Sequence, residues 1–287
     1  MLRRAILLLV VLGPVAAFAG LIALDMRYAL AGDYGYVVRI DLPEETGAID
    51  LPRIDGPPDA TRPLVVIDPG HGGFDPGAGT GRMREKDAAL AIAKALRREL
   101  LASGGMRVAL TREEDRFVTL SERPDIARRL GADLFVSIHA DSAASNTARG
   151  ASVYVLSERG SDQAAERLAE RENAVDTVNG VELSGADDAV NAILFDLSQR
   201  ESQAGSVEAA NLFLREADGE LRLHRSSVQS GALAVLKAPD IASILLETGY
   251  INNPEDAELL ASDAGQRRIA AIAARAIRAY LARRSAN

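Results

Sequence analysis

Residues 64–73 read LVVIDPGHGG. Four apolar residues give way at Asp68 to a Pro-Gly-His-Gly-Gly run. A short apolar stretch bounded by turn residues reads as a buried strand. The glycines around His71 allow a tight loop whose backbone can be approached closely. The chain has three histidines in 287 residues, so one placed where a buried strand ends asks for a chemical reason.

Outward from this strand the pattern alternates. EKDAALAIAKALRRELLAS (85–103) spaces Leu90, Ala93, Leu96, Leu100 and Leu101 as a helix, with Gly104-Gly105 as its stop. RVALT (107–111) is a strand, and SERPDIARRLGA (121–132) a helix with Ser121 as N-cap and Pro124 in its first turn. LFVSIHA (134–140), ASVYVL (151–156) and ASILLETG (242–249) are strands, and GQRRIAAIAARAIRAYLARR (265–284) is a terminal helix. Strands separated by helical crossovers predict an α/β fold: a mostly parallel open sheet with helices on both faces. Between residues 157 and 230 the alternation stops, and this mostly helical stretch reads as an insertion into the α/β unit.

Three of the strands end in polar groups: LVVID at His71, LFVSI at His139 and SILL at Glu247. Parallel strands place their carboxyl ends on one edge, where α/β proteins bind ligands. The three residues should therefore meet, and Glu85, opening the helix that follows the first strand, should join them. His71, Glu85 and His139 would give Zn2+ two imidazoles and a carboxylate with a position left open for water, the pattern of a catalytic site. Glu247 would then serve as general base. Taken singly each has a plainer reading: a strand-end histidine is structural or solvated, Glu85 answers a helix dipole, and Glu247 is one more polar strand end. His224, in LRLHRSS, has no partner in view.

Composition narrows the classes. There is no cysteine, which excludes disulfides, thiolate nucleophiles and Cys-ligated zinc, and no tryptophan, with aromatic residues at 4%, which argues against a broad aromatic platform for sugars. The net charge of −8 comes without a basic run, so nucleic acid is not an expected partner. Residues 1–24 combine Arg3 and Arg4, an apolar stretch and Ala17-Phe18-Ala19, the pattern of a secretory signal. The apolar stretch also has the length of an uncleaved anchor, the one route by which the chain would touch a membrane. Either reading exports the rest, and a cleaved signal would place it in the periplasm. Residues 25–62 form a linker with a possible strand at YGYVVRIDL (34–42) and four prolines in residues 44–63.

VVIDPGHGGFDPGA, EKDAALAIAKALRREL, RVALTREEDRFVTLSER, GADLFVSIHAD and ILLETGYINNPED, in that order, resemble the motifs of zinc-dependent N-acetylmuramoyl-L-alanine amidases of the AmiA/AmiB/AmiC type. The resemblance covers residues 63–284. It implies that His71, Glu85 and His139 are zinc ligands, that Glu247 is catalytic, and that the substrate is the amide joining N-acetylmuramic acid to L-alanine in peptidoglycan, cleaved in daughter-cell separation. The rival readings are another exported zinc peptidase or deacetylase, and a non-catalytic wall-binding or activator protein on the same fold.

The 157–230 stretch resembles the regulatory segment of division-linked members, in which a helix covers the zinc until an activator with a LytM-type domain displaces it. In AAERLAERENAVDTV, Ala165, Leu168, Val175 and Val178 are spaced as a helical stripe, and Glu172 falls within it. A carboxylate on a buried face needs a partner, and the open metal position is one; Glu166 and Glu170 could equally supply the ligand. In DDAVNAILFDLSQRES, Val190, Ile193, Leu194 and Leu197 share a face that either packs on the domain or docks the activator.

Overall fold

A computed structural model of the chain describes residues 51–80, 83–143, 145–174, 177–178, 181–182 and 192–285. The signal or anchor segment, the 34–42 strand, Val175 and Val190 lie outside the described residues, as do the side chains of Val178, Ile193, Leu194 and Leu197. Among the described residues no helix is long and apolar enough to cross a membrane.

The first strand, β1 (Leu64–Pro69), is buried along its whole length and is followed by a small hairpin, β2 (Gly79–Thr80) and β3 (Met83–Arg84), that leads into helix α1 (Glu85–Ala102). Then come β4 (Arg107–Leu110), α2 (Glu122–Leu130), β5 (Leu134–Asp141) and β6 (Ser152–Leu156). Helix α3 (Gln163–Asn173), a ribbon of β7 (Thr177–Val178) and β8 (Val181–Glu182), and helix α4 (Ala192–Ala217) occupy the stretch read as an insertion. The chain closes with β9 (Gln229–Gly231), β10 (Ser243–Tyr250), α5 (Pro254–Ala261) and α6 (Asp263–Arg284).

The six-stranded sheet has the order β4-β1-β5-β10-β6-β9. The first four strands are mutually parallel, as the alternation predicts, but β6 runs antiparallel to β10 and β9 runs parallel to β6, so the sheet is mixed. Only nine residues separate the end of β5 from Ala151, with no helix among those described; a parallel connection needs a crossover of a dozen residues or more. Residues 229–231 carry no strand signal in the sequence, because three residues show no period.

Alternation along the strands sorts the side chains into two faces. Val65, Ile67, Val136, Ile138, Ile244 and Leu246 face a core closed by α1, α4 and α6. Burying each such side chain contributes roughly 1.5–3 kcal/mol. In α1 the core stripe runs through Ala89, Ile92, Leu96 and Leu100, while Leu90 and Leu101 sit at its margin, half-buried. The C-terminal part of α4 is a structural member of this core, with Ala209, Ala210, Leu212, Phe213 and Ala217 buried in it. The other face starts apolar, with Leu64, Val66, Phe135 and Leu245, and α2 and α3 flank that side. Towards the carboxyl ends the same face turns polar: Asp68, Ser137, His139, Asp141 and Glu247, all buried.

Two local expectations need correction. Ser121 has helical dihedrals (φ −70°, ψ −36°) and caps nothing with its side chain; Thr119 Oγ1 instead accepts from Glu122 N at 3.3 Å. The end of the expected linker is held by the sheet, because Asp55 forms an antiparallel bridge with Val108 and its carboxylate pairs with Arg97.

Candidate metal centre

His71 leaves β1 with φ 57°, the one non-glycine residue with positive φ among those described. A histidine held there needs its surroundings to enforce the conformation, and two buried arginines do so. Arg123 donates from Nη1 to Pro69 O (2.9 Å) and from Nη2 to His71 O (2.9 Å), and its Nη1 pairs with Asp68 Oδ1 at 2.8 Å. Arg112 donates to Pro69 O (3.0 Å) and Gly70 O (2.8 Å). Asp68 also accepts from Thr111 Oγ1 (2.6 Å) and Ser137 Oγ (2.8 Å). Gly70 leaves no room for a side chain, since a Cβ there would lie 2.5 Å from the His139 ring. Three carbonyls in succession are thus fixed, and the imidazole is aimed by them.

The aim brings four groups together. His71 Nε2 lies 3.1 Å from Glu85 Oε2 and 3.4 Å from Glu172 Oε2; His139 Nδ1 lies 3.1 Å from Glu85 Oε1 and 3.1 Å from Glu172 Oε2. One ligand atom from each of His71, Glu85, His139 and Glu172 falls within 4.8 Å of all the others. Both oxygens of Glu85 are oriented by backbone, Oε2 accepting from Ala78 N (2.8 Å) and Oε1 from Ala140 N (2.9 Å). Asp75 Oδ2 sits 2.6 Å from His71 Nδ1, which assigns a ring proton to Nδ1 and makes Nε2, at the cluster, the nitrogen that would bind a cation in place of its own proton.

Electrostatics and hydrogen bonding test whether a cation fits. Burial alone lowers the basicity of both imidazoles, yet Glu85 and Asp75 raise His71 to about 10, and Glu172 and Glu85 raise His139 to about 10. Burial raises the Glu85 carboxyl, but His71 and His139 outweigh it and hold it well below the usual range. The cluster is an anionic hollow that demands positive charge. His71 Nε2 is moreover buried without a hydrogen-bond partner. Two imidazoles and a carboxylate are a donor set for zinc and related divalent ions, so the residues fit a metal.

Glu247 is opposite His139 in the β5–β10 register, on the same face. Both its carboxylate oxygens are buried without a hydrogen-bond partner. Burial, then the charges of Asp141, Glu85 and Glu172, push its carboxyl well above the ordinary value. Asp141, two residues beyond His139, is raised to about 6 by burial, against the opposing pull of Arg171.

Helix α3 reaches the cluster with its last turn. Its N-terminus is capped by Asp162, whose side chain accepts from Ala164 N and Ala165 N. Three consecutive residues then hold the other end: Arg171 Nη2 is 2.5 Å from Asp141 Oδ1, Glu172 enters the cluster, and Asn173 exchanges hydrogen bonds with Ala232 O and Ala234 N, both at 2.8 Å. Glu166 and Glu170 are exposed, which separates them from Glu172. The helix ends at Asn173, so the stripe does not continue helically to Val178, which lies in the ribbon.

The structure therefore brings together His71, Glu85, His139, Glu172 and Glu247, and leaves His224 apart, packed edge-on against Tyr250 at 5.0 Å. Sequence reasoning missed Asp75, Arg112, Arg123, Asp141 and Arg171. Asp75 and Asp141 had a signal, standing four residues after His71 and two after His139; the arginines had none, because their partners are backbone carbonyls.

The chain is similar to known proteins along most of its length. Residues 65–279 match the family described as N-acetylmuramoyl-L-alanine amidase. The chain is 41% identical over 219 residues to N-acetylmuramoyl-L-alanine amidase AmiA of Escherichia coli (strain K12), covering 76% of this chain and 75% of that protein. It is 39% identical over 283 residues to amidase AmiC of Escherichia coli O6:H1, covering 94% and 67% respectively. Among solved structures, amidase AmiC2 of Nostoc punctiforme superposes with a TM-score of 0.55 at 32% identity, over 77% of this chain and 97% of that one.

Proposed function

The chain belongs to the N-acetylmuramoyl-L-alanine amidase family, and from that premise we propose how it works: it hydrolyses the amide between N-acetylmuramic acid and L-alanine of peptidoglycan at a zinc ion held by His71, Glu85 and His139. The observation that carries this reading is the convergence of two imidazoles and a carboxylate beside a partnerless buried glutamate. A zinc ion bound there supplies Lewis acidity, lowering the pKa of water and polarising a carbonyl. The chain's own residues do the rest. Asp75 keeps the His71 tautomer fixed, and the Ala78 and Ala140 N–H groups keep the Glu85 carboxylate in place. Glu247 takes the proton of the attacking water at its carboxylate and delivers it to the leaving nitrogen. Buried without another hydrogen-bond partner, its carboxylate is free for both halves of that transfer, and no acyl-enzyme is needed.

On the same reading the described form is the resting one. Glu172 Oε2, within 3.4 Å of both imidazoles, takes the position that water and substrate need, so α3 is an autoinhibitory helix. Release falls to a partner protein with a LytM-type domain, in keeping with an exported, periplasmic enzyme of daughter-cell separation. The test is hydrolysis of dye-labelled sacculi by the full-length chain and by Glu172→Ala, with product analysis and metal content. Glu172→Ala should raise basal release of free stem peptide at least tenfold while zinc stays bound. Cleavage within the peptide, or release of acetate, would transfer the chain to the peptidases or deacetylases. Unchanged activity would remove Glu172 as the blocking group.

A further inference from the structure

Asp141 closes the polar row on the sheet's carboxyl edge. It ends β5 two residues beyond His139, and strand alternation puts both on the face where Glu247 lies opposite His139. Its side chain is 9% exposed. Its Oδ1 accepts from Ser142 N at 2.5 Å and pairs with Arg171 Nη2 at 2.5 Å. The buried arginines of this face are engaged elsewhere, Arg123 with Asp68 and Arg112 with backbone carbonyls. The cation on Asp141 is thus a half-exposed side chain (49%) delivered by α3, next in sequence to Glu172.

This inference rests on the amidase reading above. If the last turn of α3 leaves when substrate enters, Asp141 loses its guanidinium while staying at the sheet's carboxyl edge, and a carboxylate so enclosed is poorly rehydrated. A cation arriving with the substrate would replace it. The peptide half has the right chemistry: cleavage turns the amide nitrogen into a primary amine, protonated at neutral pH, and a stem peptide containing a diamino residue already carries one. We propose that Asp141 is a subsite for a primary ammonium group on the peptide half of the substrate, and that Arg171 fills it in the closed form. Arg171 and Glu172 together then act as a pseudosubstrate, a cation on Asp141 and a carboxylate on the two imidazoles side by side.

The experiment uses the full-length chain carrying Glu172→Ala, with and without Asp141→Asn. The first arm compares kcat/KM for two muropeptides that differ only in whether the diamino side chain is free or N-acetylated. The second compares inhibition by the released L-alanyl peptide with a free or acetylated N-terminus. A charge-assisted contact with a buried carboxylate should favour the free amine roughly ten- to hundredfold in at least one arm. Asp141→Asn should bring that ratio to about one, and Asp141→Glu should keep most of it; Asp141→Ser serves as a second neutral variant should Asp141→Asn fail to fold. Because the readout is a ratio, it does not depend on how many molecules have α3 displaced. Preference in the first arm alone assigns the subsite to the diamino side chain, and in the second alone to the liberated amine. No preference in either arm, or one that survives removal of the Asp141 charge, overturns the subsite and leaves the amidase standing. Hydrolysis of neither muropeptide by any of these proteins overturns the amidase reading, and the subsite with it.

Discussion

Arg123→Met should cost this domain a large part of its stability through the loop that aims His71. The guanidinium is 2% exposed and pairs with Asp68 Oδ1 at 2.8 Å, while Asp68 itself is 0% exposed. Methionine keeps the apolar length of the side chain and removes the charge, the hydrogen bonds to Pro69 O and His71 O, and that to Val118 O (3.1 Å). Removing one partner of a buried pair costs about 3–5 kcal/mol. The hydrogen bonds of Thr111 and Ser137 to Asp68 persist, so the lower end applies, about 3 kcal/mol. For a domain of this size that is a fall in Tm of roughly 6–12 °C, readable by calorimetry on the metal-free protein. The pH dependence has a definite sign. Burial raises the Asp68 carboxyl, but Arg123 and the two hydroxyls outweigh it and hold it below its ordinary value. A depressed folded value contributes stability that is fully present above about pH 4 and is lost as pH falls through the folded value. In Arg123→Met the burial of Asp68 is no longer opposed by the guanidinium, so the gap between the two proteins should widen from acid to neutral pH. Metal affinity should fall too, roughly 10–100-fold, as His71 loses its fixed carbonyl. A loss below about 1 kcal/mol at neutral pH, or a gap that narrows with rising pH, would refute the view that this ion pair anchors the loop.

Three further outcomes follow from the geometry. Glu247→Gln should retain the metal, measured by elemental analysis, and lower kcat roughly 10²–10⁴-fold, since both carboxylate oxygens, opposite His139 in the sheet register, are buried without a hydrogen-bond partner. Gly70→Ala places a Cβ 2.5 Å from the His139 ring; the ring must yield, and chelator-competition titration should show metal binding weakened about tenfold or more. Stripping the metal with a chelator should abolish hydrolysis, and stoichiometric zinc should restore it together with a rise in Tm, because a cation bound only by the folded state stabilises it.

How much of this could be read from the chain divides along the kind of partner each residue has. His71, His139 and Glu247 were legible because strand topology alone carries them to one edge: an apolar run, a direction and a polar terminus suffice. Glu85 followed from where a crossover helix must begin. The antiparallel β6 was within reach, since the short connection from β5 excludes a crossover, but β9 was not: at three residues it exists through its pairing with β6, not through a pattern of its own. Glu172 shows the same divide inside one residue. The stripe that singled it out was drawn through Val175 and Val178, beyond the helix that ends at Asn173, yet the residue is buried and the exposed Glu166 and Glu170 are not. The inward face needs only Leu168 and Glu172, one turn apart and both buried, and it brings Glu172 Oε2 within 3.4 Å of both imidazoles. Arg112, Arg123 and Arg171 were illegible for a related reason. An arginine's place is written in the acceptors around it, carbonyls and carboxylates that the fold assembles from segments far apart in sequence, and so the groups that hold the centre in position appear only after the centre itself has been built.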